Sequence, residues 1–123
     1  MNPRKKAIIT GSNKGIGYAL AKQLIKNNYE VWLGARDAEL GRAAAKELGA
    51  NFIRMDVTQT ETLKEALKTY SLQNSSLDLL INNAGVALYG QDGPPSAASV
   101  QATRDTFAVN FFGALDVTQV FLP

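Results

Sequence analysis

A glycine-rich turn constrains the fold of this chain more than any other stretch of its sequence. The segment Thr10–Gly17 (TGSNKGIG) follows a short apolar run, Ala7–Ile9, and opens directly into a helical pattern over Tyr18–Lys26. A strand, a glycine turn and a helix N-terminus form an anion-binding geometry, because free backbone N–H groups and the helix dipole both face the ligand. The order of these elements therefore predicts a phosphate site made largely of backbone.

Each glycine of this turn has a separate predicted role. Gly11 can adopt the tight turn, Gly15 allows the backbone to approach a diphosphate, and Gly17 allows the helix to pack closely against the strand. The spacing is G-x-x-x-G-x-G rather than the commoner G-x-G-x-x-G of dinucleotide sites. Glycines with these gaps also occur in ordinary turns, so the motif alone leaves a plain turn open as an alternative.

Composition narrows the class of protein and the chemistry that it can perform. A chain of 123 residues with 46% hydrophobic and 20% charged residues fits one globular domain over residues 1–123. Its apolar runs are far shorter than the roughly 20 residues of a membrane span, and the cytoplasm is the expected compartment. Because the sequence has no cysteine and no histidine, it excludes disulfides, a Ser-His-Asp triad and a histidine-ligated zinc site, and we expect no metal. The net charge of +2 is too small to indicate nucleic acid.

Helix signals recur along the chain at regular distances. Asp37 is a good N-cap for a second helix, which should end just before Gly49. Thr58 and Glu61 have the spacing of a capping box ahead of a third helix. A last helix is predicted from Ser99 to Pro123.

Predicted strands alternate with these helices, and this alternation indicates the fold class. It predicts an α/β fold with a doubly wound parallel sheet of the Rossmann type, with helices on both faces. In such a sheet, ligands bind beyond the carboxyl ends of the strands. The turns Thr10–Gly17 and Asn82–Gly85 both follow strands directly, so they converge on one crevice if those strands are neighbours. The predicted strands are Lys6–Thr10, Glu30–Ala35, Asn51–Met55 and Leu77–Ile81.

Four motifs in this order resemble those of the short-chain dehydrogenase/reductase family. The family signature T-G-x-x-x-G-I-G is matched by Thr10–Gly17, and its N-N-A-G by Asn82–Gly85. Its acidic-apolar pair after the third strand is matched by Asp56 and Val57, and its helix asparagine by Asn110. The segments Asn13–Gly17 and Gly34–Asp37 are similar to the NADP-dependent carbonyl-reductase branch of the family.

The resemblance implies a fold and a reaction. The four strands are expected in the order 3-2-1-4, without the C-terminal half of the family fold. A dinucleotide would lie across the carboxyl edge of the sheet, and hydride would pass between its nicotinamide and a carbonyl or alcohol substrate.

The resemblance also implies roles for particular residues. Asp56 would contact the adenine with Val57 packed on the ring, and the segment Asn82–Gly85 would pass the nicotinamide-side ribose. Asn110 is the one counterpart of the family's catalytic residues, and it would distort its helix or hold a water. The implied cofactor-binding residues are Gly11, Ser12, Asn13, Lys14, Gly15, Ile16, Gly17, Arg36, Asp56, Val57, Asn82, Ala84 and Gly85.

Each of these roles has a purely structural alternative. Asp56 could simply lead a helix beside Thr58, and Asn82–Gly85 could be a plain turn between a strand and a loop. Asn110 could bond a neighbouring backbone group with its amide. These alternatives stay open at the level of sequence.

The end of the second strand bears on which nicotinamide cofactor is bound. Sites for NAD usually place a carboxylate there, whereas a 2′-phosphate needs an arginine nearby. The carboxylate position falls on Ala35, while Arg36 and Lys14 supply positive charge, so we expect NADP. Two alternatives remain: both cations could be solvated surface residues, or Asp37 could be the ribose carboxylate of an NAD site.

The family's catalytic serine and Tyr-x-x-x-Lys have no counterpart in these residues. Tyr18 and Lys22 have the required spacing, but they lie in the helix directly after the glycine turn, so we interpret the match as chance. We therefore expect the cofactor half of an oxidoreductase, inactive by itself. The alternative is a non-catalytic module that binds a nucleotide or assembles with a partner.

Two surfaces predict self-association. The strand Leu77–Ile81 would be an unpaired edge, which can template pairing with another chain. The last helix, Ser99–Leu122, carries apolar groups around most of its surface, as in a helix buried in an interface or a larger core. Its aromatic residues, Phe107, Phe111 and Phe112, are therefore expected in a core or an interface, and not in a base-stacking platform.

Overall fold

Four parallel strands form one sheet in the computed structural model, which describes residues 4–85 and 100–122. The strand order is β3-β2-β1-β4, which confirms the predicted 3-2-1-4 arrangement. The first and fourth strands are direct neighbours, in the register Ala7 to Leu79 and Ile9 to Ile81. The strands are β1 (Lys6–Thr10), β2 (Glu30–Ala35), β3 (Asn51–Arg54) and β4 (Leu79–Ile81).

Helices connect the strands and cover both faces of the sheet. Alternate residues of a strand point to opposite faces, so Ile8 packs in a cluster with α3 and α5, whereas Ile9 packs in a cluster with α1 and α2. The doubly wound architecture is thereby confirmed. The helices are α1 (Gly15–Lys26), α2 (Ala38–Leu48), α3 (Thr60–Ser71), α4 (Val100–Phe107) and α5 (Ala114–Phe121), and a π-helical segment (Ala108–Gly113) joins the last two.

The predicted limits of the second helix are confirmed. Asp37 accepts a hydrogen bond from the backbone N–H of Leu40 at 3.0 Å, which is the bond of an N-cap. Gly49 closes the helix in the left-handed conformation, with φ of 73°.

The predicted capping box at the third helix is wrong. The helix begins at Thr60, and Gln59 precedes it without a capping side-chain hydrogen bond. The hydroxyl of Thr58 instead donates to the carboxylate of Asp56 at 2.6 Å. Because the helix begins two residues after Thr58, Gln59 occupies the N-cap position in its place.

Element boundaries differ from the predicted ones by a few residues. The third strand ends at Arg54 instead of Met55, and the fourth begins at Leu79 instead of Leu77. The first helix begins at Gly15 rather than Tyr18. The predicted continuous last helix is interrupted by the π segment, and its predicted first residue, Ser99, lies outside the described residues.

Candidate functional site

A cleft of about 570 Å³ opens at the carboxyl edge of the sheet, where ligands bind in folds of this class. Except for Ser12, Gly17 and Asn82, all the predicted cofactor residues line it. A second cavity, of about 450 Å³, lies beside β4 between α3 and the end of α5, and none of the predicted site residues lines it.

The glycine turn forms one side of this cleft. Gly11 and Gly15 both have positive φ, 63° and 66°, a conformation that favours glycine. A Cβ atom on Gly11 would lie 2.7 Å from Cα of Ala84, so the two predicted turns touch. A Cβ on Gly15 would meet no atom within 4 Å, because this backbone faces the open cleft.

Three predicted residues hold the site together from behind rather than facing the cleft. Ser12 is fully buried, and its hydroxyl donates to the carbonyl of Ile9 at 2.8 Å. Gly17 is buried against Asn83. Asn82 donates from its side-chain amide to the hydroxyl of Thr118 at 3.1 Å, which ties its turn to α5.

Thr10 is a residue of the site that the sequence reasoning missed. Its buried hydroxyl accepts hydrogen bonds from the backbone N–H groups of Asn83 and Ala84, both at 3.0 Å. Asn83 also donates from its side-chain amide to the carbonyl of Gly11 at 3.1 Å. These bonds clamp the two turns together and explain why they converge. The available signal was a hydroxyl residue at the strand end, directly before the first glycine.

Asp56 and Val57 lie at the end of the cleft beyond β3. One carboxylate oxygen of Asp56 accepts from the backbone N–H of Thr58 at 3.0 Å as well as from its hydroxyl. This is the contact with Thr58 that the structural alternative expected, and the adenine contact stays a prediction. Four further residues line the cleft without having been predicted as site residues from sequence: Leu40, Met55, Thr58 and Val109.

Two exposed cations flank the cleft. Lys14 and Arg36 both line it, and no carboxylate lies within 4 Å of either among residues 4–85 and 100–122. Asp37 lies beside Arg36, but one of its oxygens is engaged in capping α2. Ala35 is buried and brings no charge. At this end of the cleft, two cations lie beside one carboxylate, Asp37.

Asn110 lies in the π segment, which confirms that the helix is distorted around it. A Cβ on Gly85 would lie 3.2 Å from Oδ1 of Asn110, so this side chain stands against the second turn. π-helical turns of this kind are frequent at functional sites.

Among residues 4–85 and 100–122, no group of three or more acidic, histidine or cysteine side chains is placed to hold a metal. None of the described helices is long and apolar enough to cross a bilayer.

The chain is similar to known proteins over almost its whole length. A sequence model of the family described as short chain dehydrogenase matches residues 5–123. The chain is 38% identical to rat (Rattus norvegicus) estradiol 17-beta-dehydrogenase 2, over 98% of this chain and 32% of that protein. It is 36% identical to mouse (Mus musculus) carbonyl reductase [NADPH] 1, over 98% of this chain and 44% of that protein.

Solved structures give the same result for the fold. Salutaridine reductase from Papaver somniferum superposes with a TM-score of 0.85 at 28% identity, over 98% of this chain and 52% of that one. A 3-ketoacyl-(acyl-carrier-protein) reductase from Brucella melitensis, complexed with NADH, superposes with a TM-score of 0.87 at 24% identity, over 97% and 49% of the two chains. The chain thus spans about a third to a half of the length of the proteins that it matches.

Proposed function

The chain belongs to the short-chain dehydrogenase family, and on that premise we propose that it supplies the NADP(H)-binding part of an oxidoreductase that acts on a carbonyl or alcohol. The observation that carries this proposal is the meeting of the two turns in one cleft, with the backbone of Gly15 open to it. The dinucleotide, when bound, would supply or accept the hydride.

The residues of the cleft fit such a cofactor from one end to the other. The turn at Gly11 and Gly15 would hold the diphosphate through backbone N–H groups at the start of α1. Val57 would pack on the adenine ring, and the turn that ends at Gly85 would hold the nicotinamide-side ribose. Asn110, beside Gly85, would order a water or a polar group of the substrate near the nicotinamide.

The choice of NADP rests on charge. Arg36 can bind a phosphate in a bidentate manner, and Lys14 adds a point charge from the turn. The name of the mouse relative, carbonyl reductase [NADPH] 1, supports this choice. The Brucella structure is a complex with NADH, so the rival assignment to NAD through Asp37 is tested below.

A matched pair of glycine substitutions tests the diphosphate site. Gly15 and Gly49 share a positive φ, 66° and 73°, and a Cβ on either would meet nothing within 4 Å. Asparagine tolerates this conformation, so Gly15→Asn and Gly49→Asn should each cost less than about 1 kcal/mol of stability. Only Gly15→Asn places a side chain in the cleft, and it should weaken binding of 2′-phospho-ADP-ribose about tenfold, the scale of one lost charge-assisted hydrogen bond.

Titration calorimetry measures the affinity of both variants for 2′-phospho-ADP-ribose. Equal affinity in Gly15→Asn and Gly49→Asn would place the ligand away from the glycine turn. The fluorescence of Trp32, the only tryptophan in the sequence, checks that both variants stay folded.

We also propose that the chain self-associates through one face of its last helical region. Val117 and Phe121 are buried in the core, so an interface would have to form on other side chains of this region. There, four large side chains are 45–60% exposed: Phe107, Phe111, Phe112 and Leu115. β4 is the outermost strand of the described sheet and is the competing surface.

Sedimentation velocity at several concentrations separates the two surfaces. The double variant Phe107→Ser/Phe111→Ser should weaken association by at least about tenfold, because buried aromatic anchors dominate interfaces. Leu72→Ser is the control, since Leu72 is 79% exposed on another part of the surface. A wild-type chain that stays monomeric at high concentration would refute the proposal, and association that survives the double variant would point to β4.

A further inference from the structure

The π segment forms one wall of the cleft and contacts it at both ends. Val109 lines the cleft, and Asn110 stands against Gly85 at the nicotinamide end. At the other end of the same segment, Gly113 is buried against Val57. Six residues thus connect the two halves of the proposed dinucleotide site.

The contact between Gly113 and Val57 leaves no room for a side chain. A Cβ on Gly113 would lie 2.8 Å from Cγ2 of Val57, 3.0 Å from its Cβ and 3.0 Å from its carbonyl oxygen. Backbone is among the contacted atoms, so a change of rotamer at Val57 would not relieve the clash. Any residue other than glycine would separate the helix from this turn.

Of the two segments in contact, the turn that holds Val57 is more firmly fixed than the π segment that holds Gly113. The backbone N–H of Asp56 donates to the hydroxyl of Thr62 at 3.0 Å, which anchors the turn to α3. The carboxylate of Asp56 binds Thr58 through its backbone and its hydroxyl. Strain introduced at residue 113 would therefore move the π segment more than the turn.

We propose that Gly113 is a positioning residue, which sets where Asn110 stands relative to Gly85 by resting on Val57. This inference depends on the proposed function. The π segment would hold the adenine end and the nicotinamide end of the site at the separation that one dinucleotide spans. It also couples the two ends, because a ligand that packs on Val57 touches the support of the segment that carries Asn110.

The variant Gly113→Ala tests this role in the 123-residue chain. We expect its affinity for NADP⁺, whose nicotinamide half reaches the displaced segment, to fall about tenfold, since shifts of a fraction of an ångström weaken a fitted site. We also expect the side-chain amide signals of Asn110 to shift in ¹⁵N-resolved NMR spectra. Adding 2′-phospho-ADP-ribose to the wild type should shift the same signals, although this ligand has no nicotinamide.

Gly41→Ala is the matched control. Gly41 is another buried helical glycine, and its Cβ would lie 2.0 Å from Cε1 of Phe52, away from the cleft. It should lower the thermal midpoint of unfolding, followed by Trp32 fluorescence, without changing affinity or the Asn110 signals. A merely structural role for Gly113 would make the two variants behave alike, and that result would overturn the inference.

A second variant keeps the test decisive if Gly113→Ala does not fold. Val57→Ala removes the methyl groups on which Gly113 rests, so it should shift the Asn110 amide signals in a folded chain. In the double variant Gly113→Ala/Val57→Ala, the losses of affinity should be smaller than the product of the single losses. Unmoved Asn110 signals in Val57→Ala would refute the positioning role alone, whereas a wild type that binds no ligand would refute the proposed function as well.

Discussion

A polypeptide of these 123 residues, mixed with NADPH and a panel of aldehydes and ketones, is expected to oxidise no NADPH above the background rate. Reduction of a carbonyl needs a positioned general acid, and the loss of one typically costs a factor of about 10² to 10⁴ in rate. By the family resemblance, Asn110 is expected to be the one counterpart of the family's catalytic residues in this sequence. It is an amide and cannot supply the proton.

None of the three described tyrosines, Tyr18, Tyr29 and Tyr70, lines the cleft, so none of them replaces the missing acid. The hydroxyl of Tyr18 donates to the carboxylate of Glu47, between α1 and α2, and this hydrogen bond raises the pKa of Tyr18. Tyr70 donates to the carbonyl of Ser76 at 2.6 Å, and burial raises its pKa to about 12. Both shifts oppose proton transfer near neutral pH, and neither side chain lines the cleft.

The assay follows absorbance of NADPH, with Tyr18→Phe as the companion variant. Background rates in both proteins are the expected result, and they agree with a chance match between Tyr18 and Lys22. Protein-dependent oxidation that survives Tyr18→Phe would show that another group in the chain donates the proton. Oxidation that disappears in Tyr18→Phe would show that Tyr18 is the proton donor.

Arg36→Ala should remove about 1.5–3 kcal/mol of binding free energy, roughly ten- to hundredfold in affinity, from 2′-phospho-ADP-ribose. Affinity for ADP-ribose should stay unchanged, because that ligand lacks the phosphate that the guanidinium would bind. The effect is expected to be large since Arg36 has no carboxylate partner within 4 Å in the described part of the chain. Titration calorimetry with both ligands measures it.

Two further variants sharpen this result. Arg4→Ala removes the same charge at the opposite, amino edge of the sheet, where Arg4 is exposed, and should change neither affinity. Asp37→Asn keeps an N-capping side chain and removes the carboxylate. Loss of ADP-ribose binding in Asp37→Asn, with little effect of Arg36→Ala, would transfer the assignment from NADP to NAD.

The sheet could be predicted from sequence because its signals are local. The glycine turn after β1, the N-cap at Asp37 and the left-handed Gly49 each depend on a few neighbouring residues. The strand order came from the family resemblance, and the register between Ala7 and Leu79 agrees with it. Boundaries shifted by a few residues, as at α3, which begins at Thr60 after a turn in which Thr58 binds Asp56.

The π segment could not be placed from sequence, although a distortion at Asn110 was expected. Its geometry depends on contacts between residues far apart in the chain, Gly113 with Val57 and Asn110 with Gly85. No periodicity in the segment Ala108–Gly113 carries that information.

The residues of the cleft could likewise be predicted where their signal is local, and not where it depends on tertiary contacts. Residues of the two turns were predicted, because glycine and asparagine mark turns. Leu40, Met55 and Val109 were missed, since apolar residues in helices and strands look the same whether they face a core or a ligand. Ser12 was counted with the turn, although its hydroxyl points back to the carbonyl of Ile9.

Backbone amide NMR of the wild-type chain, titrated with 2′-phospho-ADP-ribose, tests the central claim most directly. The account predicts that the largest shifts fall on the segments Gly11–Gly17, Asp56–Thr58 and Asn83–Gly85, which meet in the cleft at the carboxyl edge. Shifts centred on the cavity beside β4, lined by Leu67 and Val120, would contradict it, as would a titration without any shift.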